Sequence, residues 1–208
     1  METFILIVLL SGIIPLLILF IKKKAFNFSE PILPFIWITA IASVYEIVGT
    51  GFLQINISYW FQIYPFLEII ALTYFFLKLF KEKYKLLIYF GLTILLAAYS
   101  YSFFLWKDDG SLFSHGLNKT FISIIVILFS TLWFKDLFKT LEEETLWKLP
   151  NFYFISAILL YYSSTMLLFL LSSVIRDEFI DNFWLINVIA TFLLRIILTS
   201  GTCKMKYN

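Results

Sequence analysis

Seven apolar runs constrain this chain more than any other feature of its sequence. A membrane-spanning helix needs about 20 mostly apolar residues at a rise of roughly 1.5 Å each. Divided at its charges and turn-forming residues, the sequence has such runs at 3–21, 32–53, 58–80, 86–106, 119–138, 150–175 and 183–203. The pattern predicts an all-α polytopic membrane helix bundle with seven transmembrane helices, which form a single domain over 1–208.

Composition supports the same interpretation. Hydrophobic residues make up 61% of the chain and charged residues only 14%, against roughly 45–50% and about 25% in ordinary soluble domains. A soluble domain of this size has no means of hiding so much apolar surface, whereas a bundle in lipid can face hydrocarbon outward. The net charge of +2 argues against a nucleic-acid partner, so the expected partner is the lipid bilayer.

The distribution of basic residues between the loops predicts an orientation. With the N-terminus outside, the outer side receives only Lys107, Lys119 and Arg176. The inner side receives Lys22, Lys23, Lys24, Lys78, Lys81, Lys83, Lys85, Lys135, Lys139, Lys148, Lys204 and Lys206. Because cytoplasmic loops carry an excess of Lys and Arg, this separation predicts an outside N-terminus, a cytoplasmic C-terminus and an odd number of spans.

Three ionisable residues fall inside the predicted spans: Glu46, Glu68 and Arg195. Charges within a bilayer are costly and need partners, so each is a functional candidate. Counted from the outer helix ends, they lie roughly 13, 18 and 20 Å deep. The three side chains therefore share one layer of the predicted bundle.

Further polar side chains fall at similar depth. Tyr64 precedes Glu68 by one helical turn, and Thr191 precedes Arg195 by one turn. The predicted site, an outer-facing polar cluster that binds a small or lipidic ligand or an ion, consists of Glu46, Tyr64, Glu68, Tyr161, Ser164, Asn187 and Arg195. Pro65 adds a freed backbone carbonyl to this region, because proline has no N–H to donate.

A purely structural interpretation stays open beside this one. Glu68 and Arg195 would form a salt bridge that holds the helices together, and Glu46 would donate a hydrogen bond as a neutral acid. His115, the only histidine, is expected to be solvated in an outer loop over 107–118. Trp60 is expected to be an anchor at the membrane interface, where tryptophan is enriched.

Several activities are disfavoured by what the sequence lacks. The seventh run has no lysine, so a retinal Schiff base cannot form there. A single cysteine, Cys203, excludes a cysteine-based metal site. The sequence contains neither a phosphate-binding glycine loop nor a metalloprotease motif, so we expect no cofactor and no metal, and a non-enzymatic role is favoured.

Two stretches resemble a known group of proteins. They are Ile63-Tyr64-Pro65-Phe66-Leu67-Glu68 in the third run and Leu149-Pro150-Asn151-Phe152-Tyr153 with Leu159-Leu160-Tyr161-Tyr162-Ser163-Ser164-Thr165 in the sixth. Together with Asn187 they are similar to small standalone seven-helix bacterial membrane proteins related to the membrane sensor portions of histidine kinases. The resemblance implies a sensory or accessory role in a bacterial cytoplasmic membrane. Unlike kinase-linked relatives, the sequence stops at Asn208, so signalling is expected to need a partner.

Three functions follow as hypotheses. The first is a receptor-like or accessory sensory subunit that binds a small or lipidic ligand in the polar cluster and signals through a membrane or cytoplasmic protein partner. The second is a transporter or channel for a small solute or ion that uses the intramembrane carboxylates. The third is an intramembrane lipid hydrolase in which paired carboxylates act as acid and base.

Overall fold

A computed structural model describes residues 2–106, 111–140, 146–171 and 177–206. The described residues form helices joined by short connections, and no β-strand occurs among them. The helices are α1 (Glu2–Ser11), α2 (Ile14–Ile21), α3 (Leu33–Val44), a π-helical segment (Tyr45–Phe52), α4 (Ile57–Phe80), α5 (Lys85–Leu105), α6 (Ser111–Thr140), a 3₁₀ turn (Leu146–Lys148), α7 (Pro150–Leu171) and α8 (Asp177–Lys204).

Seven helical stretches in the described chain are long and apolar enough to cross a membrane. The first combines α1 with α2, the second combines α3 with the π-helical segment, and α4 to α8 supply the other five. The predicted all-α architecture is thus confirmed, and the described chain has as many long apolar stretches as the sequence predicted. A local signal agrees with the start of α4, since Asn56 caps this helix by accepting a hydrogen bond from Ser58 N at 2.9 Å.

The fifth stretch begins earlier than predicted. Helix α6 starts at Ser111, whereas the sequence predicted a start at 119. The residues between these two positions carry polar side chains that were assigned to an outer loop. Ser114, His115 and Asn118 are buried instead, because they find hydrogen-bond partners on α4 and α5. Lys119, predicted as the first residue of the fifth run on the outer side, therefore lies inside the bundle.

The order of helix packing places α4 and α6 beside each other, with α5 against both. Helix α7 packs between α6 and α8, and α8 contacts α1 and α2, which return to α3. Buried aromatic rings fill the centre, including Phe75 and Phe76 of α4 and Phe129 of α6. The broken first stretch, the π-helical segment, α4, α6, α7 and α8 thereby surround one common space.

Ion pairs and hydrogen bonds identify which helix ends lie together. The ammonium of Lys22, after α2, donates to the carbonyls of Cys203 and Met205 at 2.7 and 2.5 Å, where a cation complements the C-terminal end of α8. Lys83, between α4 and α5, is 2.6 Å from Asp136 near the end of α6. We call this side the C-terminal end of the bundle and the opposite side, where α1 starts, the N-terminal end.

The outer surface of the bundle is strongly apolar. Leu86 is 85% exposed, Phe104 80% and Ile21 72%. Soluble monomers rarely expose contiguous apolar patches of more than a few hundred Å². A surface of this kind is suited to a hydrocarbon environment.

Candidate ligand-binding cavity

A cavity of about 360 Å³ lies between α1, α3, the π-helical segment, α4, α6, α7 and α8, toward the N-terminal end. Its polar lining comprises Thr39, Glu46, Thr50, His115, Lys119, Asn187, Thr191 and Arg195. Its aromatic lining comprises Trp60, Phe61, Tyr64, Tyr161, Phe169 and Trp184. Two rim residues, Ile57 and Trp184, are exposed, whereas Lys119 deeper in the cavity is buried, so the cavity opens toward the N-terminal end.

The structure brings five of the seven predicted site residues to this cavity: Glu46, Tyr64, Tyr161, Asn187 and Arg195. The Tyr161 hydroxyl is 3.5 Å from Asn187 Oδ1, which joins α7 to α8. The other two residues, Glu68 and Ser164, are not part of the lining. Ser164 is exposed and donates to Leu160 O of its own helix at 2.7 Å, because its position on α7 turns it away from the bundle interior.

Glu68 forms a buried ion pair directly behind the cavity wall. Both of its carboxylate oxygens are 2.7 Å from Lys119 Nζ, and Tyr162 donates to Glu68 Oε1 at 2.6 Å. The predicted salt bridge between Glu68 and Arg195 is therefore wrong. The reason is the early start of α6, which places Lys119 inside the bundle beside Glu68, although the sequence predicted it as the first residue of the fifth run, on the outer side.

Aromatic rings surround the ammonium of Lys119. Its Nζ lies 4.5 Å from the ring centroid of Tyr64 and 5.7 to 5.9 Å from those of Tyr161, Tyr162 and Phe169. Cation–π contacts of this length are attractive, more so where water is excluded. Lys119 thus has two kinds of compensation for its charge, a carboxylate and four ring faces.

Arg195 joins the cavity to a break in the first helical stretch. Between α1 and α2 the Gly12 N–H bonds to Leu9 O at 3.1 Å, whereas a regular α-helix would direct it to Val8 O. The freed Val8 carbonyl accepts hydrogen bonds from Arg195 Nη1 and, at 2.6 Å, from Ser11 Oγ. The irregular backbone therefore supplies a partner for a charge that would otherwise lack one.

Close approach at Gly12 makes this contact possible. A Cβ atom at this position would lie 2.2 Å from Ser43 Oγ and 3.0 Å from Arg195 Cζ. Any other residue would push against both α3 and α8. Pro15 also contributes to the break, because its missing N–H cannot bond to the Ser11 carbonyl.

Glu46 lies in the π-helical segment that follows α3. The Thr50 hydroxyl donates to Glu46 O at 2.5 Å, and Leu53 N donates to Val48 O at 2.9 Å, the wide spacing of a π-helix. Such segments within α-helices are frequent at functional sites. The wider turn presents the Glu46 side chain to the cavity.

Pro65 frees a second carbonyl, as its position in the sequence predicted. In a regular helix the N–H of residue 65 would bond to Phe61 O, but proline has none. His115 Nδ1 is 3.2 Å from that oxygen. Because a carbonyl only accepts, Nδ1 carries the proton, and the expectation of a solvated loop histidine is wrong.

Three residues of this site escaped the sequence reasoning: Lys119, His115 and Tyr162. A signal for the first two exists, since His115, Lys119 and Ser123 follow one another at four-residue steps and so share one helix face, and all three are buried. A polar stripe in an otherwise apolar run indicates a helix face turned inward. Trp60, expected as an anchor, is also buried and lines the cavity.

The cavity and its surroundings define a class of protein: a seven-helix bundle with a charged, aromatic-lined cavity near one end. Comparison with protein-family models, with curated proteins and with solved structures finds no match for this chain. The resemblance to standalone relatives of kinase sensor regions therefore stays a prediction. Among the described residues, no group of three His, Cys, Asp or Glu side chains is placed to hold a metal ion.

Proposed function

We propose that this chain is an integral membrane protein with an outside N-terminus, and that it binds a small ligand in its cavity as a receptor-like or accessory sensory subunit. Seven stretches apolar enough to cross a membrane and an apolar outer surface support insertion. With Lys119 inside the bundle, the basic residues assigned to the outer side fall from three to two, Lys107 and Arg176, which lie outside the described residues. The excess of lysine on the C-terminal end supports a cytoplasmic location for that end.

The observation that carries the ligand-binding proposal is the cavity itself. Its volume of about 360 Å³ falls within the roughly 300–1,000 Å³ of small-molecule sites. Aromatic walls with a few convergent polar groups are the usual composition of such sites. Because the cavity opens toward the N-terminal end, the ligand would enter from the outer side or from the outer leaflet.

Two features support a sensory role. The cavity contacts both irregular helical segments, the break at Gly12 through Arg195 and the π-helical segment through Glu46. Irregular segments of this kind are common at hinges and functional sites, so a ligand at these residues would act on the parts of the bundle best able to rearrange. In this proposal the signal passes to a membrane or cytoplasmic protein partner.

The same irregular segments favour one alternative, transport. Many secondary transporters place their sites where interrupted helices meet near the bilayer midplane, and Glu46 is a carboxylate beside such a segment. Flux of the ligand into proteoliposomes separates the two functions. The hydrolase hypothesis has less support, because Glu68 is held by Lys119 and Tyr162 and cannot pair with Glu46 as a free acid or base.

A thermal-shift screen of the purified protein against metabolites and lipids tests the proposal. A ligand that binds only the folded state stabilises it by about 2.7 kcal/mol at a concentration about 100 times its Kd. The variant Thr191→Phe fills the cavity, and Ile189→Phe on the exposed face of α8 is its matched control. We expect stabilisation of wild type and Ile189→Phe but not of Thr191→Phe. If no compound shifts wild type, or if Thr191→Phe responds equally, the cavity is not a ligand site.

A further inference from the structure

The charges around the cavity are unequally compensated. Lys119 and Glu68 neutralise each other at 2.7 Å. Within the part of the chain that the structure describes, neither Glu46 nor Arg195 belongs to an ion pair. They are two charges of opposite sign on different walls, Glu46 on the π-helical segment and Arg195 on α8.

Glu46 forms the acidic side of the cavity. Its carboxylate makes no hydrogen bond within the described chain, and it shares the cavity with Arg195 and Lys119. Two aromatic residues of α4, Trp60 and Tyr64, line the same cavity with their ring centroids 5.5 Å apart. A carboxylate beside aromatic rings is the arrangement that recognises ammonium groups, through charge and cation–π attraction.

Arg195 forms the basic side. Of the five N–H donors of a guanidinium, one bonds to Val8 O. Asn187, Thr191 and Arg195 follow one another at four-residue steps on α8 and all line the cavity, so polar side chains lead from the rim to the guanidinium. A planar guanidinium whose other donors have no hydrogen bond to the described residues suits a carboxylate or phosphate, which it binds through two parallel hydrogen bonds.

We propose that the ligand is a small zwitterion, with its ammonium at Glu46 and its carboxylate or phosphate at Arg195. This inference rests on the proposed function, because it names the ligand class of the same cavity. A ligand with one charge would leave the opposite cavity charge desolvated without a partner, which is costly. A free osmolyte or amino acid and the headgroup of a zwitterionic lipid share this chemistry.

The test compares zwitterionic probes with probes of one charge on the wild-type protein. The zwitterions are glycine betaine and glycerophosphoethanolamine, and the single-charge probes are tetramethylammonium and acetate. Because hydrogen bonds to charged groups contribute about 1.5–3 kcal/mol, we expect a zwitterion to bind at least tenfold more tightly than either single-charge probe in calorimetry and to raise the melting temperature. This comparison needs no variant, so misfolding cannot obscure it.

Variants then locate the two charges. Glu46→Gln should weaken zwitterion binding about tenfold or more, whereas Glu30→Gln should leave it within about twofold. Glu30 is the matched control because it pairs with Lys24 at the C-terminal end, away from the cavity. Nanodiscs of phosphatidylethanolamine or phosphatidylglycerol distinguish a lipid headgroup from a free solute as the source of the ligand. Retention of phosphatidylethanolamine, with loss of the response to free probes in those discs only, identifies a lipid headgroup, and an equal response in both identifies a free solute.

Some outcomes would contradict a zwitterionic ligand but leave the proposed ligand-binding function standing. They are equal affinity for acetate or tetramethylammonium, unchanged binding by Glu46→Gln, and no response to any of these probes while another compound stabilises wild type but not Thr191→Phe. If no compound at all stabilises wild type, the proposed function fails as well. The experiments therefore distinguish a wrong ligand class from a wrong site.

Discussion

Both carboxylate oxygens of Glu68 lie 2.7 Å from Lys119 Nζ, and the two side chains are 0% and 2% exposed. Each residue comes from a different helix, α4 and α6, separated by 51 positions in the sequence. The two buried charges neutralise each other, and Tyr162 donates a hydrogen bond to the same carboxylate. This contact joins the cavity wall to the centre of the bundle.

Removing either partner of this pair should destabilise the protein strongly. A buried charge left without its partner costs about 3–5 kcal/mol, so we expect that loss in Lys119→Met and in Glu68→Leu. The double variant Lys119→Met/Glu68→Leu should recover most of it, because it leaves neither charge behind. Unfolding in detergent measures all three.

The pair between Lys24 and Glu30, 9% and 28% exposed, is the control. Partly exposed pairs contribute about 0–1 kcal/mol, so Lys24→Met should change stability far less than Lys119→Met. Equal effects of the two substitutions, or additive losses in the double variant of the buried pair, would contradict the coupling of Lys119 with Glu68.

The contact between His115 and Phe61 O makes a second prediction. The variant His115→Leu leaves the carbonyl freed by Pro65 without its donor, which costs about 1–3 kcal/mol for a buried group. Adding Pro65→Ala restores an N–H at position 65 and should recover stability in the double variant. Melting temperatures of the two single variants and the double variant measure this coupling. Independent effects would show that His115 does not serve this carbonyl.

A side chain at position 12 should lower the stability of the protein. The variant Gly12→Ala places a Cβ 2.2 Å from Ser43 Oγ and 3.0 Å from Arg195 Cζ, so we expect a loss of about 1–3 kcal/mol from overpacking and weaker ligand binding through Arg195. Gly51→Ala is the matched control, since its nearest neighbour would be Glu46 O at 3.7 Å. Denaturation of both variants measures the difference in their free energies of unfolding. A Gly12→Ala protein as stable as Gly51→Ala would contradict the close approach.

The orientation is testable through the only cysteine. Cys203 is exposed at the C-terminal end of α8, so a membrane-impermeant maleimide should label it only after the cells are permeabilised. In a Cys203→Ser background, Thr3→Cys near the N-terminal end should be labelled in intact cells. The reverse pattern would place the N-terminus in the cytoplasm and overturn the orientation.

Helical spacing predicted neighbours where these lie on the same helix. Asn187, Thr191 and Arg195 share a face of α8 because they are four residues apart, and all three line the cavity. Spacing along one helix does not predict which side chains of other helices a residue contacts. Rotation of each helix about its own axis turned Ser164 outward and placed Tyr162, its neighbour two positions earlier, against Glu68.

The helical fold and the number of long apolar stretches were determined by the sequence alone. The physical reason is that a long apolar run in hydrocarbon has to satisfy its own backbone hydrogen bonds, so hydropathy predicts helices directly. Which charges meet was decided only by the tertiary structure. The start of α6 at Ser111, about two turns before the predicted start at 119, brings Lys119 to Glu68, and the freed carbonyl of Val8 accepts a hydrogen bond from Arg195. These choices depend on desolvation and contact between helices, which no single run of sequence contains.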